Sequence, residues 1–371
     1  MSKVALVSYH FYYNYGTCLQ AYALFHYLTK KGFDCEYLNF GQCRCEGGAF
    51  SQESFVREIK KKLRAIKYLK YSRIVKSNKR NFDLFRKTYV KETNEYSLEE
   101  LESIEGKYDF FVLGSDQTLN PDCIGEKFYS KLLLDFVKDG KRKNSYASSL
   151  GKARLTDMQW NNLCRLLNSY ENISVREVKT AESLSYLLNR SVEYVLDPTF
   201  LLGKKEWLSL ARQDYCVKYD GYVFCYLLGA KEQIVAFAKK IAIENNLKLL
   251  LYTNQQKFYS YGDSLLQDCG PFEFVKTVAY ARYVVTDSFH GTILSINCNV
   301  NFYAFSKLSG SFADGDNSRI YDFLKMIGLE RRLQSDDPVL LEDVDYFKVN
   351  ERIAELKEQS EKYLTKIFAL G

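Results

Sequence analysis

Short apolar runs recur along this chain, each ending in a polar turn and followed by a stretch whose apolar residues are spaced three and four apart. The first run, Lys3 to Ser8, leads into a loop containing Asn14, Tyr15 and Gly16, then a helix predicted over Thr17 to Lys31 that Gly32 stops. A second strand is predicted over Cys35 to Phe40. Strand, loop, helix, strand is the opening of a parallel α/β sheet, whose ligands sit beyond the carboxyl ends of the strands. Further strands are predicted at Tyr108 to Leu113, Asn144 to Ser148, Ile173 to Val175 and Val192 to Leu196, with helices near Thr156 to Asn168 and Glu177 to Asn189. A second series follows Trp207. It has strands at Tyr222 to Leu228, Lys248 to Tyr252, Tyr283 to Thr286 and Phe302 to Phe305, and helices at Glu232 to Asn245, Phe272 to Ala281 and Thr292 to Asn297. Two α/β halves in series imply a cleft between them. The expected division is 1–203 as an N-terminal domain and 204–348 as a C-terminal domain. The last segment, 349–371, is an amphipathic helix that suits either one.

Composition agrees with a folded chain of two domains: 371 residues, 46% hydrophobic and 26% charged, with only 20 Gly and 4 Pro. No apolar run approaches the ~20 residues of a membrane span. Val4 to Ser8 runs straight into a polar aromatic loop without a small-residue cleavage site, so a cytoplasmic protein is expected. The ten cysteines include no Cys-x-x-Cys and read as reduced thiols. Only His10, His26 and His290 exist, which leaves no room for a multi-histidine metal centre.

The formal charge of +6 is unevenly placed. Residues 57–91 hold 14 Lys and Arg against two acids, so the rest of the chain is net negative. Phe55, Ile59, Leu63, Ile66 and Leu69 recur there at helical spacing, with Lys60, Lys61, Lys62, Arg64 and Lys67 largely on other faces. Two readings stand: a solvated helix face, or an electrostatic contact with anionic lipid headgroups or a pyrophosphate-bearing substrate. Nucleic acid is disfavoured, because no recognised nucleic-acid motif accompanies the stripe.

Four segments follow predicted strands and carry candidate chemistry. Asn14 and Gly16 lie between strand and helix, where a glycine lets backbone approach a ligand and a helix N-terminus favours an anion; a plain turn is the alternative. Gly114, Ser115, Asp116 and Gln117 put a hydroxyl, a carboxylate and an amide on one turn, suited to sugar hydroxyls, unless Asp116 is a helix cap. Arg176 leaves a buried strand, pointing into the cleft to grip an anion or pairing internally with Glu177 or another acid. Asp287, Ser288, Phe289, His290 and Gly291 combine an imidazole with the start of a helix, a fitting pocket for a phosphoester.

In this order and at these separations, Asn14-Tyr15-Gly16 with Leu19-Gln20-Ala21, Gly114 to Gln117, Ser174-Val175-Arg176-Glu177, Asp197-Pro198 and Ser288-Phe289-His290-Gly291 resemble the polysaccharide pyruvyl transferase family. The resemblance implies an α/β fold similar to GT-B glycosyltransferases, with two Rossmann-like domains facing a cleft. It also implies transfer of a pyruvyl group from phosphoenolpyruvate to a sugar as a ketal, in the synthesis of cell-surface or capsular polysaccharide. Arg176 matches the family's donor-binding arginine and His290 its functional histidine. Many members have an arginine where this chain has Ser288; Arg319, in the following segment, is placed to restore the charge.

Forming a ketal from an enol phosphate needs a proton for the methylene carbon, a base for the attacking hydroxyls, and cations on carboxylate and phosphate. The expected donor side is therefore Arg176, Ser288, His290, Gly291 and Arg319. The acceptor side is Asn14, Gly16, Ser115, Asp116 and Gln117. Catalytic roles fall to His290 as acid or phosphate ligand, Asp116 as base, and Asp287 as a second carboxylate or a structural cap. No cofactor is called for and no metal is demanded, though a loosely held Mg²⁺ on the phosphate stays open. The partners expected are phosphoenolpyruvate and a saccharide, free or carried on a lipid pyrophosphate, with residues 57–91 as the contact to an anionic membrane surface. Two other readings compete: a GT-B glycosyltransferase using a nucleotide sugar, and a non-catalytic sugar-binding or assembly protein.

Overall fold

The computed structural model describes residues 1–40, 69–124, 126–151, 154–306 and 316–369. Its first half runs β1 (Lys3–Val7), α1 (Tyr15–Lys30), β2 (Asp34–Asn39), α2 (Leu69–Tyr89), β3 (Glu92–Glu95), β4 (Phe110–Leu113), α3 (Glu126–Leu132), β5 (Lys143–Ser145), α4 (Asp157–Leu167), β6 (Ser174–Val175), α5 (Val178–Leu188) and β7 (Glu193–Tyr194). The second half runs α6 (Lys204–Leu210), β8 (Tyr222–Leu227), α7 (Glu232–Glu244), β9 (Lys248–Thr253), β10 (Ser264–Leu265), α8 (Pro271–Ala279), β11 (Tyr283–Thr286), α9 (Phe289–Asn297), β12 (Asn301–Phe305), α10 (Asp316–Met326), β13 (Leu333–Gln334) and α11 (Tyr346–Ile367).

Two parallel sheets result. The first has the order β3-β2-β1-β4-β5, and the β6-β7 pair continues it through single bridges from Asn144 to Asn172 and Ser148 to Val175. The second has the order β10-β9-β8-β11-β12-β13. Counted from β8, that is the 3-2-1-4-5-6 order of a Rossmann sheet, with its ligand crevice where the winding reverses between β8 and β11. Strands buried on both faces explain the continuous apolar runs. In β8, Tyr222, Phe224 and Tyr226 face the interior shared with the first sheet, while Val223, Cys225 and Leu227 face the outer layer with α7.

That shared interior is continuous between the halves. Tyr15, on α1, stacks on Phe274 of α8 at 4.4 Å and donates its hydroxyl to the Cys269 carbonyl. Helix α2 also reaches the second half: Asn78 donates to the Leu266 carbonyl and accepts from the Cys269 N–H, and Phe85 packs edge-on to Phe272. In return α11 covers the first sheet, where Tyr363 donates to the Ser145 carbonyl and Ser360 Oγ accepts from the Leu196 N–H.

Strand β3 is absent from the sequence reading. Its residues, Glu-Thr-Asn-Glu, carry no apolar pattern, and they form an edge by pairing Tyr37 with Glu92. Of the basic stretch, the part through residue 68 lies outside the described residues, so the helix expected over Phe55 to Leu69 is described only from Leu69 onward. No helix among the described residues is long and apolar enough to cross a membrane.

Candidate functional site

The carboxyl ends of both sheets border a cavity of about 310 Å³. From the first half it is lined by Tyr9, Tyr12, Asn14, Thr17, Asp116, Gln117, Asp122, Cys123 and Arg176. The second half contributes Leu228, Ser288, Phe289, His290 and Arg319. Another hollow, of about 660 Å³ around Arg331 to Asp345, contains none of the motif residues.

Two helices begin at this cavity. Asn14 caps α1 by accepting from the Thr17 N–H at 3.2 Å, and Ser288 caps α9 by accepting from the Gly291 N–H at 3.4 Å. Both helix N-termini thus point their unpaired N–H groups and partial positive charge toward one space. Between them Gly16 makes the closest approach: a Cβ there would lie 2.2 Å from His290 Cγ and Nδ1. The position requires a hydrogen because the imidazole occupies the space of a methyl group.

The turn after β4 is equally constrained. Gly114 has φ +124°, and any Cβ on it would meet the Tyr146 carbonyl at 2.1 Å. Asp116 follows with φ 70°, a left-handed conformation that turns its carboxylate toward α1 and β6. Its Oδ2 accepts from Thr17 Oγ1 at 2.7 Å, and its Oδ1 accepts from Arg176 Nη2 at 3.1 Å and from the Gln117 N–H at 3.0 Å.

Arg176 is almost wholly enclosed, its side chain 2% exposed. Three carboxylates surround it: Asp116, Asp197 at 2.6 Å from Nη1, and Glu177 at 3.7 Å from Nε. Its guanidinium also lies 4.8 Å from the Phe289 ring centre, with Arg319 5.3 Å from the same ring. Burial by itself raises the Asp116 and Asp197 carboxyls, but Arg176 and His290 outweigh it and hold both below the usual carboxylate range, Asp197 well below. Glu177 goes the other way. Burial dominates there and raises its carboxyl despite Arg176 and the Ser149 hydroxyl that donates to it. Burial lowers the guanidinium of Arg176, and the three carboxylates more than compensate.

His290 joins this network. Its Nε2 faces Asp197 Oδ2 at 3.5 Å and is sealed from solvent. The Asp-Pro segment was legible as a motif, but the role of Asp197 was not, because its partners lie at residues 176 and 290.

Asn14, Asp116, Gln117, Arg176, Ser288, His290 and Arg319 are therefore brought together. The remaining predicted positions support the cavity from behind. Ser115 is fully buried, its hydroxyl donating to the Ala147 carbonyl and its N–H to Gln20 Oε1. Asp287 accepts the Leu228 and Gly229 N–H groups on its two oxygens, at 2.8 and 2.6 Å, and so ties β11 to the turn after β8. A Cβ on Gly291 would meet Thr286 Oγ1 at 2.6 Å and Tyr226 Cδ1 at 2.9 Å, which makes it a packing position under α9. Sequence reasoning missed Tyr9, Tyr12, Thr17, Asp122, Cys123 and Phe289 as cavity wall; the aromatic run before Asn14 was the available signal for the first two. No group of three His, Cys, Asp or Glu side chains among the described residues is arranged to hold a metal.

Fold and cavity together define a two-lobed α/β protein of GT-B-like architecture, with its site where the two sheets end. Solved structures agree on the fold. UDP-GlcNAc 2-epimerase from Methanocaldococcus jannaschii is similar over 99% of this chain and 100% of its own, at 10% identity and a TM-score of 0.53. The Neisseria meningitidis UDP-GlcNAc 2-epimerase bound to UDP-GlcNAc covers 99% of this chain and 94% of its own, at 8% identity and a TM-score of 0.51. The S. aureus MnaA–UDP co-structure covers 97% of both chains at 10% identity, with a TM-score of 0.50. At such identities the likeness is one of fold alone. A comparison of the sequence with curated proteins finds no match. The family model described as polysaccharide pyruvyl transferase matches residues 14–307, and the chain belongs to that family.

Proposed function

We propose that this protein transfers the pyruvyl group of phosphoenolpyruvate to two hydroxyls of one sugar residue during polysaccharide synthesis. The observation that carries the reading is the convergence on one cavity of two helix N-termini, His290 and Arg319 with Asp116 and Gln117. The first set suits a small polyanion, and the second suits sugar hydroxyls.

In the reaction, the methylene carbon of phosphoenolpyruvate gains a proton and becomes a methyl group. The two sugar hydroxyls form two C–O bonds to the adjacent carbon, the bond from that carbon to the phosphate oxygen breaks, and inorganic phosphate leaves. Of the two hydroxyl protons, one balances the new methyl C–H and the other leaves on phosphate. His290 delivers or holds the proton on the donor side. Arg319 and the two helix N-termini neutralise the carboxylate and phosphate, the task for which many family members use an arginine at position 288. Asp116 orients an attacking hydroxyl and accepts its proton. Its depressed carboxyl makes it a modest base, so orientation is the larger part of its work.

The test is phosphate release from phosphoenolpyruvate with a panel of saccharide acceptors, read beside thermal shifts with phosphoenolpyruvate and with sugar nucleotides. Release that requires an acceptor, together with a shift for phosphoenolpyruvate alone, supports the reading. Arg319→Gln should then raise the donor KM tenfold or more, roughly the loss of one charge-assisted contact. A shift with a sugar nucleotide and none with phosphoenolpyruvate would replace it by the glycosyltransferase reading.

The acceptor side also bears on where the protein works, and we propose a cytoplasmic enzyme that meets its acceptor at a membrane surface. On α2 the exposed Arg73, Lys76, Arg80 and Lys87 fall within about a 60° arc, at ~100° per residue, along about 21 Å of helix. Asp83 shares that face but is paired with Arg86 and with the Tyr13 hydroxyl. Tyr13 belongs to the same loop as Tyr12 and Asn14 of the cavity wall. A lipid-linked saccharide held at an anionic surface by this stripe would therefore lie beside the acceptor side of the site.

A further inference from the structure

We infer that Asp197 is a positioning residue for His290: it receives Nε2–H, fixes the tautomer of the ring, and so assigns Nδ1 as the nitrogen that serves the reactants. The inference rests on the proposed reaction for its catalytic consequence and on geometry for the rest.

Asp197 follows β7 and is itself tightly fixed. Its Oδ1 accepts from the Thr199 N–H at 3.0 Å and from Thr199 Oγ1 at 2.9 Å, so the carboxylate cannot rotate without breaking a turn. Oδ2 then faces, among the described residues, Arg176 Nη1 at 2.6 Å and His290 Nε2 at 3.5 Å. With 1% of the Asp197 side chain exposed, water does not compete for that oxygen. The 3.5 Å separation is long for a hydrogen bond, as such contacts commonly are before substrate is bound. Nothing else among the described residues bonds to Nε2, which is buried away from solvent. A neutral imidazole in this setting keeps its hydrogen on Nε2, facing the carboxylate, because the alternative tautomer would bring a lone pair against a negative charge.

The opposite edge of the ring, with Nδ1, lies against Gly16, between the cavity-lining residues Asn14 and Thr17. The imidazole, on α9 of the second half, is thus held between two elements of the first half. Arg176 extends the arrangement: one guanidinium bonds both Asp197 and Asp116, so the residue that orients the imidazole and the residue on the acceptor side are tied together. This gives Arg176 work to do inside the protein that differs from gripping the donor.

The charged and titratable groups around Asp197 are Arg176 and Glu177 at the end of β6, Asp116 after β4, Tyr146 after β5, Tyr194 on β7 and His290 on α9. Of these, His290 is the one whose ring orientation the proposal requires Asp197 to set.

Nitrogen NMR on histidine-labelled protein tests this directly, because three imidazoles give a resolvable spectrum and His290→Ala identifies the signals of interest. In the wild-type protein His290 should keep its hydrogen on Nε2 whenever the ring is neutral, Nδ1 being the nitrogen that takes up and gives back the proton. Asp197→Asn should mix the tautomers and lower kcat about a hundredfold with both KM values within about twofold; because the variant also weakens a buried partner of Arg176 and should lower the thermal midpoint, the rates are compared well below that midpoint. It should also displace the limb of the pH–rate profile that His290→Ala abolishes. A neutral wild-type ring protonated at Nδ1, or an unchanged tautomer in Asp197→Asn, overturns the proposal. The wild-type spectrum decides the matter even if the variant does not fold. An ordered tautomer in a protein that releases no phosphate from phosphoenolpyruvate would instead defeat the proposed reaction while leaving the geometric assignment standing.

Discussion

Replacing Gly16 by alanine inserts one methyl group between α1 and His290. That methyl would lie 2.2 Å from Cγ and Nδ1 of the imidazole and 2.5 Å from the His290 Cβ that carries it. Unbonded carbons rest at about 3.5 to 4.0 Å, so ring and helix must separate by more than about 1 Å. Overfilling a packed site typically costs about 1 to 3 kcal/mol, and alanine returns at most ~1 kcal/mol through its better helix propensity. The expected net loss of stability is about 1 to 2 kcal/mol. The displaced ring also leaves Asp197, and a displacement of ~1 Å at a reacting group is enough to cost about a hundredfold in rate. The decisive measurement is a double-mutant cycle by urea unfolding. In a His290→Gly background the space is open, since alanine would keep the Cβ that lies 2.5 Å away, so Gly16→Ala should there be neutral or stabilising by up to ~1 kcal/mol, a coupling of about 2 kcal/mol between the positions. If the two substitutions instead add to within ~0.5 kcal/mol, the close approach does not govern this position and the steric argument fails.

Three further outcomes are expected. Arg176→Gln removes a cation that Asp116, Asp197 and Glu177 share, and should destabilise the fold by about 3 to 5 kcal/mol in urea unfolding, a loss that saturating phosphoenolpyruvate does not repair. Because the Asp116 and Asp197 carboxyls are depressed in the folded protein, the stability they contribute is present above about pH 4 and is lost as the pH falls toward their native values. Glu177, raised by burial, contributes with the opposite sign, and Asp197→Asn should therefore flatten the acid limb of the urea midpoint below about pH 4. The protein should sediment with anionic but not neutral vesicles at low salt, and exchanging Arg73, Lys76, Arg80 and Lys87 for Glu should release it. Equal sedimentation with both vesicle types would mark the stripe as an ordinary solvated face.

The alternation of apolar runs and helical stretches was sufficient to foresee two parallel sheets, because strands covered on both faces must be apolar throughout and their crossovers must be amphipathic. The edges were harder to read. Strand β3 is polar and, among the described residues, an edge, and β10 and β13 contribute only two paired residues each. At the site, Gly16 and His290 were each visible as residues of the right kind at strand ends, but their mutual contact was not. Arg176 shows the limit most clearly. Two environments were foreseen for it, a cleft-facing clamp and an internal ion pair, and it both borders the cavity and is enclosed by acids from three segments. Glu177 adjoins it in sequence, whereas Asp116 and Asp197 reach it only through the register of β4, β6 and β7. Helix α2 lies in the first half of the chain yet buries Phe85 against Phe272 of the second, a choice made by aromatic packing that helical periodicity cannot report.

The path of α11 bears on how the chain is made. This helix supplies Ser360, Tyr363 and Lys366 to the region of Leu196, Ser145 and Glu193, and the Ser360 contact spans 164 residues of sequence. At a synthesis rate of ~5 to 20 residues per second, the first sheet leaves the ribosome about 10 to 30 seconds before its cover exists. During that interval Tyr146 and Phe110 lack their Tyr363 and Phe368 partners, so the first half completes its packing only once α11 has emerged.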